Sequence, residues 1–301
     1  MNALIFYFSG TGNTKMVAEK YADALKSNGA AVTLCALPAE QDKIASASDY
    51  DTIGIGYPIH AFNAPKIILS LCKSLPKIAK TEARKNVFIF KTSGEPVRMS
   101  DVSSLKMRSL LKRRGYTVTN EYQYVMPYNI IFRHSDGMAN KMWETAKKLI
   151  PIDVKEIVSG EKHLPKKVFM GGFIAWILRV EHWGAHVIGK LYSVKKKKCI
   201  GCGLCERVCP VHNIKIIRRA DGSVKKIKFG GKCIMCMRCA FLCPGNAVEL
   251  GLLKTWKVNG KYDFDKPEEN PRLTASGKHN NYCKKAYKKY FEKAEKRISN
   301  A

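Results

Sequence analysis

Eight of the eleven cysteines fall in two copies of one spacing. The first copy is Cys199-x2-Cys202-x2-Cys205-x3-Cys209-Pro210, and the second is Cys233-x2-Cys236-x2-Cys239-x3-Cys243-Pro244. Thiolates in such a run hold [4Fe-4S] cubes, and in two-cluster proteins the fourth cysteine of each run ligates the other cube. Two-residue steps wrap one loop around three iron corners, and Gly201 and Gly203 let the backbone come close. The fourth cysteine is expected to begin a helical turn that points the other way. One expected ligand set is therefore Cys199, Cys202, Cys205 and Cys243, and the other is Cys233, Cys236, Cys239 and Cys209. Structural zinc also uses C-x2-C pairs, but it needs four ligands in two pairs and not a doubled four-cysteine run. Cys35, Cys72 and Cys283 match no ligand spacing; Cys35 and Cys72 lie on apolar segments and are expected to be buried thiols.

A second candidate site lies near the amino terminus. Ser9, Gly10, Thr11, Gly12, Asn13 and Thr14 follow one apolar run and open a helical pattern. Glycines allow a tight loop whose backbone N–H groups face one anion, and the helix N-terminus adds its dipole. Ser9, Thr11, Asn13 and Thr14 add side-chain donors. The loop has no lysine and no G-x-G-x-x-G, so neither a Walker A loop nor a dinucleotide fingerprint is present. Neutral donors suit a buried phosphate monoester.

These residues need a scaffold, and the first 150 residues alternate strand and helix. Apolar runs at 3–8, 31–34, 52–57, 86–91 and 116–125 read as strands, and residues 15–27, 64–71, 102–113 and 136–149 read as helices, the last ending before Pro151. Such alternation predicts a parallel sheet covered on both faces. Residues 168–192 read as a helical connector that packs on a domain or a partner, or lies at a membrane interface, since lysines 195–198 follow it. The Asp221-Gly222 pair between the cysteine runs signals a hairpin. A polar stretch, 263–271, precedes a basic helix at 282–297. The predicted organisation is residues 1–155, a connector at 156–195, a cysteine-rich domain at 196–250 and a basic extension at 251–301.

The Ser9 to Thr14 segment resembles the FMN phosphate loop of flavodoxins, and the five-strand alternation is similar to their doubly wound fold. Ligands of that fold sit beyond the carboxyl ends of the strands. The resemblance implies that Pro58, Ile59, His60, Ala61, Phe62 and Asn63, with Thr92, Ser93, Gly94 and Glu95, flank the isoalloxazine ring. Many flavodoxins hold that ring between a Trp and a Tyr, whereas these loops offer Phe62 and His60 and no aromatic after Thr92. The chain as a whole resembles flavodoxin–ferredoxin fusion proteins: an α/β flavodoxin-like five-stranded sheet followed by an α+β two-cluster ferredoxin domain. The resemblance implies electron transfer with two [4Fe-4S] clusters and FMN as cofactors.

Composition narrows the alternatives. The chain has 301 residues, 46% of them hydrophobic and 26% charged, which excludes a disordered or collagen-like chain. The start MNALIFYFSG has no basic region before its short apolar run, and the longest apolar stretch, 168–178, stops at Arg179. That is short of the ~20 residues a membrane span needs. A cytoplasmic protein with reduced thiols is expected. The net charge of +28 is spread along the chain, with twelve basic and three acidic residues in 196–250. Lysines 195–198, Arg207, Arg218, Arg219, Lys225, Lys226 and Lys228 form a basic face expected to attract an acidic redox partner. A flavin reductase acting on a quinone or other small acceptor is the alternative. A nucleic-acid-binding protein with structural clusters is a third reading, but no helix-turn-helix, zinc-finger or RNA-binding signature supports it.

Overall fold

Five parallel strands form the first layer, in the order β2-β1-β3-β4-β5. They are β1 (Asn2–Tyr7), β2 (Ala31–Ala36), β3 (Thr52–Pro58), β4 (Lys85–Ser93) and β5 (Tyr116–Val125). This is a computed structural model; it describes residues 1–267 and 280–301, with side chains at all of these except 181, 182 and 280–284. Part of the 263–271 stretch and the Cys283 side chain therefore lie outside the described residues. The order 2-1-3-4-5 is that of the flavodoxin-like doubly wound sheet.

Helices close both faces: α1 (Asn13–Ser27), α2 (Gln41–Ala45), α3 (Lys66–Ser74), α4 (Leu105–Arg113) and α5 (Asp136–Ser159). The period-two alternation of β1 explains why two cores exist. Leu4 and Phe6 pack with Ile53, Ile55, Ile89 and α3 on one side. Ala3, Ile5 and Tyr7 pack with Phe88, Phe90, Tyr21 and α5 on the other. Cys35 and Cys72 are buried in the first core. Burial pushes both thiols up, so they stay protonated packing groups.

One predicted boundary fails. α5 does not stop before Pro151 but continues to Ser159, with Pro151 inside it. A helix-interior proline costs about 3 kcal/mol or more. Here Ile150 and Val154, on either side of it, are completely buried in the second core, and their burial offsets that cost. The 155/156 boundary therefore falls inside a helix.

The connector holds two helices, α6 (Gly171–Leu178) and α7 (Glu181–Lys190). Beyond it, β6 (Ser193–Val194) pairs antiparallel with β9 (Val248–Glu249), and β7 (Ile214–Arg218) pairs with β8 (Val224–Phe229) across the expected Asp221-Gly222 hairpin. Single helical turns α8 (Leu204–Arg207) and α9 (Arg238–Phe241) lie within the cysteine runs. The last helix, α10 (Asn280–Ser299), returns to the sheet domain. Its Tyr287 and Phe291 pack with Val125, Met138 and Met142. Arg297 reaches Asp153 and Glu156, each at 2.6 Å.

One ion pair is buried between β4 and β5. Lys91 Nζ donates to Glu121 Oε1 at 2.6 Å and to the Ser100 carbonyl at 3.0 Å, while Ser104 Oγ donates to Glu121 Oε2 at 2.8 Å. Removing one member leaves the other with only a longer ion pair, Glu121 to Arg108 at 3.7 Å or Lys91 to Asp101 at 3.8 Å. Lys91→Met is expected to lower unfolding free energy by about 3–5 kcal/mol. Lys91→Met with Glu121→Leu should recover much of that loss in chemical denaturation.

Candidate functional site

The eight cysteines line two separate cavities. Cys199, Cys202, Cys205 and Cys243 line one, closed by Val194, Ile216 and Val248. Cys209, Cys233, Cys236 and Cys239 line the other, closed by Tyr192, Ile214 and Phe229. Three cysteines of each run thus face the fourth cysteine of the other run. The four thiols of each set ring a cavity, which suits a polynuclear group. Backbone N–H groups already point at sulfur: Asn213 donates to Cys209 Sγ at 3.2 Å and Ala247 to Cys243 Sγ at 3.3 Å.

The local route to this arrangement adds a helical turn to the expected one. The third cysteine of each run, Cys205 or Cys239, sits in the helical turn, and the fourth follows its end. The fourth cysteine then opens a hydrogen-bonded turn of its own: the Cys209 carbonyl accepts from the His212 N–H at 3.2 Å, and the Cys243 carbonyl from the Asn246 N–H at 3.0 Å. Gly203 enters α8 and Met237 enters α9 with left-handed backbone, at φ 72° and 59°.

A third and larger cavity opens at the carboxyl ends of the strands. Ser9, Gly10, Thr11, Asn13, Thr14, Pro58, Ile59, His60, Ala61, Phe62, Thr92, Ser93, Gly94 and Glu95 all line it. No side chain caps the N-terminus of α1, so its first N–H groups are left for an anion. Thr14 and Thr92 share a hydroxyl hydrogen bond of 2.8 Å, and Asn13 Nδ2 donates to the Pro127 carbonyl at 2.8 Å. Two expected contacts are absent from the lining. Gly12 turns the loop at φ 114°, and its N–H donates to Ser9 Oγ at 3.1 Å. Asn63 is buried behind the loop, where it closes a turn with His60 through two backbone hydrogen bonds.

The structure supplies the aromatics that the two loops lack. Tyr128, after β5, and Trp256, after the cysteine domain, both line the large cavity. Gly94 permits the first, because a Cβ there would overlap the Tyr128 ring. Glu95 is no free loop charge, since Tyr128 OH donates to its Oε2 at 2.8 Å. Tyr128 lay within reach of sequence reasoning, because its loop follows a strand end like the Pro58 and Thr92 loops. Trp256 carried no such signal, since it arrives from another domain.

A hydrogen-bond chain sets this loop from α10. Burial pulls the His134 imidazole down to about 4, so the ring is neutral. Its Nδ1 accepts from the Tyr128 N–H at 3.2 Å, which leaves Nε2 as the donor to Tyr287 OH at 3.0 Å. Tyr287 OH in turn donates to the Gly94 carbonyl.

The large cavity and the second cysteine cavity share a wall. Met237 lines both, and Met235 lines the large one. Arg238 ties the two sides together: its Nε donates to the Gly10 carbonyl at 3.0 Å, Nη2 to the Ser9 carbonyl and Nη1 to the Val208 carbonyl at 3.3 Å.

A doubly wound sheet with an anion-ready loop, joined to paired four-cysteine cavities, defines an iron–sulfur flavoprotein class. Residues 4–115 match the family model described as a flavodoxin domain, and residues 191–262 match the one described as a 4Fe-4S dicluster domain. Ferredoxin-3 of Nostoc sp. is 34% identical over 68 aligned residues, which take in 18% of this chain and 70% of that protein. Among solved structures, an archaeal flavodoxin is 17% identical and covers 52% of this chain and 99% of its own, with a TM-score of 0.35. Megasphaera elsdenii flavodoxin is 23% identical and covers 51% and 98%, with a TM-score of 0.36. The chain belongs to the flavodoxin–ferredoxin fusion family. It is an electron-transfer protein with iron–sulfur and flavin cofactors.

The close approach at Gly10 gives a direct test. A Cβ on Gly10 would overlap the Cys236 carbonyl oxygen, which is backbone and cannot swing aside. Gly10→Ala should therefore part the phosphate loop from the cysteine loop. The expected result is weaker flavin binding and faster proteolysis between the domains, with Gly172→Ala, where the space is open, as the silent control.

Proposed function

We propose that the chain passes electrons between two [4Fe-4S] clusters and one bound FMN, and exchanges them with an acidic redox partner protein. The observation that carries the reading is the shared wall: Met237 faces both the second cysteine cavity and the large cavity. In this reading Cys199, Cys202, Cys205 and Cys243 hold the outer cluster, and Cys209, Cys233, Cys236 and Cys239 hold the inner one. Clusters exchange single electrons, and flavin takes one or two, so a fused pair converts between the two regimes.

Each part of the chain has a task. The Ser9 to Thr14 loop and the uncapped start of α1 bind the terminal phosphate of FMN. Pro58 to Phe62 and Thr92 to Glu95 border its ring, with Tyr128 held in place by Glu95. The N–H groups on Cys209 and Cys243 stabilise thiolate charge, which raises cluster potential. Cys202 is exposed, so the outer site reaches solvent. Arg207 donates to the Cys202 carbonyl at 2.8 Å and Arg218 to the Gly201 carbonyl at 3.4 Å, which places positive charge at that exit. An acidic partner is the complement of such an exit, and electron exchange with it should slow as salt rises.

Iron analysis of paired variants tests the assignment. Anaerobically reconstituted protein should hold about eight irons, and Cys209→Ala about four. Adding Cys236→Ala should remove no further iron, because both residues serve one cluster. Adding Cys202→Ala should remove the rest. Loss of all iron in the Cys209/Cys236 pair, with retention in the Cys209/Cys202 pair, would show uncrossed ligation and sink the assignment.

A further inference from the structure

Helices α6 and α7 are turned the opposite way from ordinary surface helices, which bury their large apolar residues. Gly171, Ala175 and Ala185 face the body, with Ala175 2% and Ala185 4% exposed. Outward stand Phe169 at 89%, Trp176 at 65% and Trp183 at 76% exposed, with Phe173, Val180 and Val187 beside them. The rings of Phe173 and Trp176 stack, with centroids 6.1 Å apart and planes at 22°, so the outward side carries an apolar ledge.

The inner contacts fix this orientation. Gly171 lies against Val102, and a Cβ on Gly189 would overlap Cys233. Ile188 lines the large cavity. Rotating α7 to hide Trp183 would drive large side chains into the cysteine loop. The ledge is therefore a consequence of close packing at the redox core. An exposed apolar patch of this kind marks an interaction surface.

Charge selects the occupant. Residues 166–198 contain eight basic residues and one acidic residue. Lys166, Lys167 and Lys190 are exposed, and Lys66 Nζ lies 5.9 Å from the centre of the Trp183 ring. Apposing a second copy would bring two basic rims together, whereas an anionic surface neutralises them. No helix among the described residues is long and apolar enough to cross a membrane. Exposed tryptophan and phenylalanine on short helices flanked by lysine suit insertion at the headgroup level. We propose that α6 and α7, with their flanking lysines, dock the protein on an anionic lipid bilayer. α7 would then stand between the bilayer surface and the large cavity.

The test is co-sedimentation of the full-length, anaerobically reconstituted protein with vesicles of phosphatidylcholine containing about one-third phosphatidylglycerol, against phosphatidylcholine alone. The protein should bind the anionic vesicles, more weakly as salt rises, and bind the neutral vesicles poorly. Phe173→Ser with Trp176→Ser should weaken binding by about tenfold or more. Lys166→Glu with Lys167→Glu should abolish the preference for anionic lipid. Iron and flavin content should not change in either variant, since these side chains are exposed. Brominated acyl chains should quench tryptophan fluorescence, and Trp176→Phe with Trp183→Phe should remove that quenching. Failure to sediment with either vesicle would overturn the proposal. A salt-resistant dimer that Phe173→Ser with Trp176→Ser dissolves would overturn it too, and would assign the ledge to a second copy.

Discussion

The Cys236 carbonyl oxygen occupies the space where a side chain on residue 10 would be. This backbone contact fixes how near the phosphate loop stands to the second cysteine loop. Arg238 reinforces it from the cysteine side, giving hydrogen bonds to the Ser9, Gly10 and Val208 carbonyls. A guanidinium presents several N–H donors in a rigid fork, so one side chain can join three backbone segments. Gly10 thus has two duties: it shapes the anion loop, and it admits the other domain. Met237, two residues before Cys239, is then left as the partition between the cavities.

Segments on either side of the two four-cysteine runs hold that contact in place. After the cysteine domain, Ile130 pairs with Lys257 and the Ile131 N–H donates to the Trp256 carbonyl at 2.8 Å. Arg133 donates to the Gly260 carbonyl at 2.8 Å, and Tyr262 OH to the Tyr128 carbonyl at 2.7 Å. The chain is laced through the loop that follows β5 before it returns as α10. From the other direction α7 packs Gly189 on Cys233. Connector and extension therefore act as braces on the junction, and they are not passive linkers.

The parts legible in the sequence were those set by local chemistry. Cysteine spacing specifies a loop geometry, so the two ligand cavities follow from eight residues. Strand β5 is found at its predicted bounds, although the buried Asn120 and Glu121 interrupt the alternation of its Tyr and Val residues. The misses have a common cause, which is that tertiary contact overrides a local signal. Pro151 reads as a helix stop, yet buried Ile150 and Val154 carry α5 past it. The resemblance places Asn63 beside the ring, yet the loop folds it inward. Trp256 is distant in the chain from every loop it joins at the cavity.

In the proposed reading, the flavin and inner-cluster sites of one molecule adjoin across Met237. Laser-flash photoreduction of the reconstituted protein, followed at iron–sulfur and flavin wavelengths over a protein dilution series, separates transfer within a molecule from transfer between molecules. Adjoining sites give first-order electron exchange whose rate constant does not change on dilution. A rate constant that falls in proportion to protein concentration would mean transfer between molecules, and would refute adjoining sites.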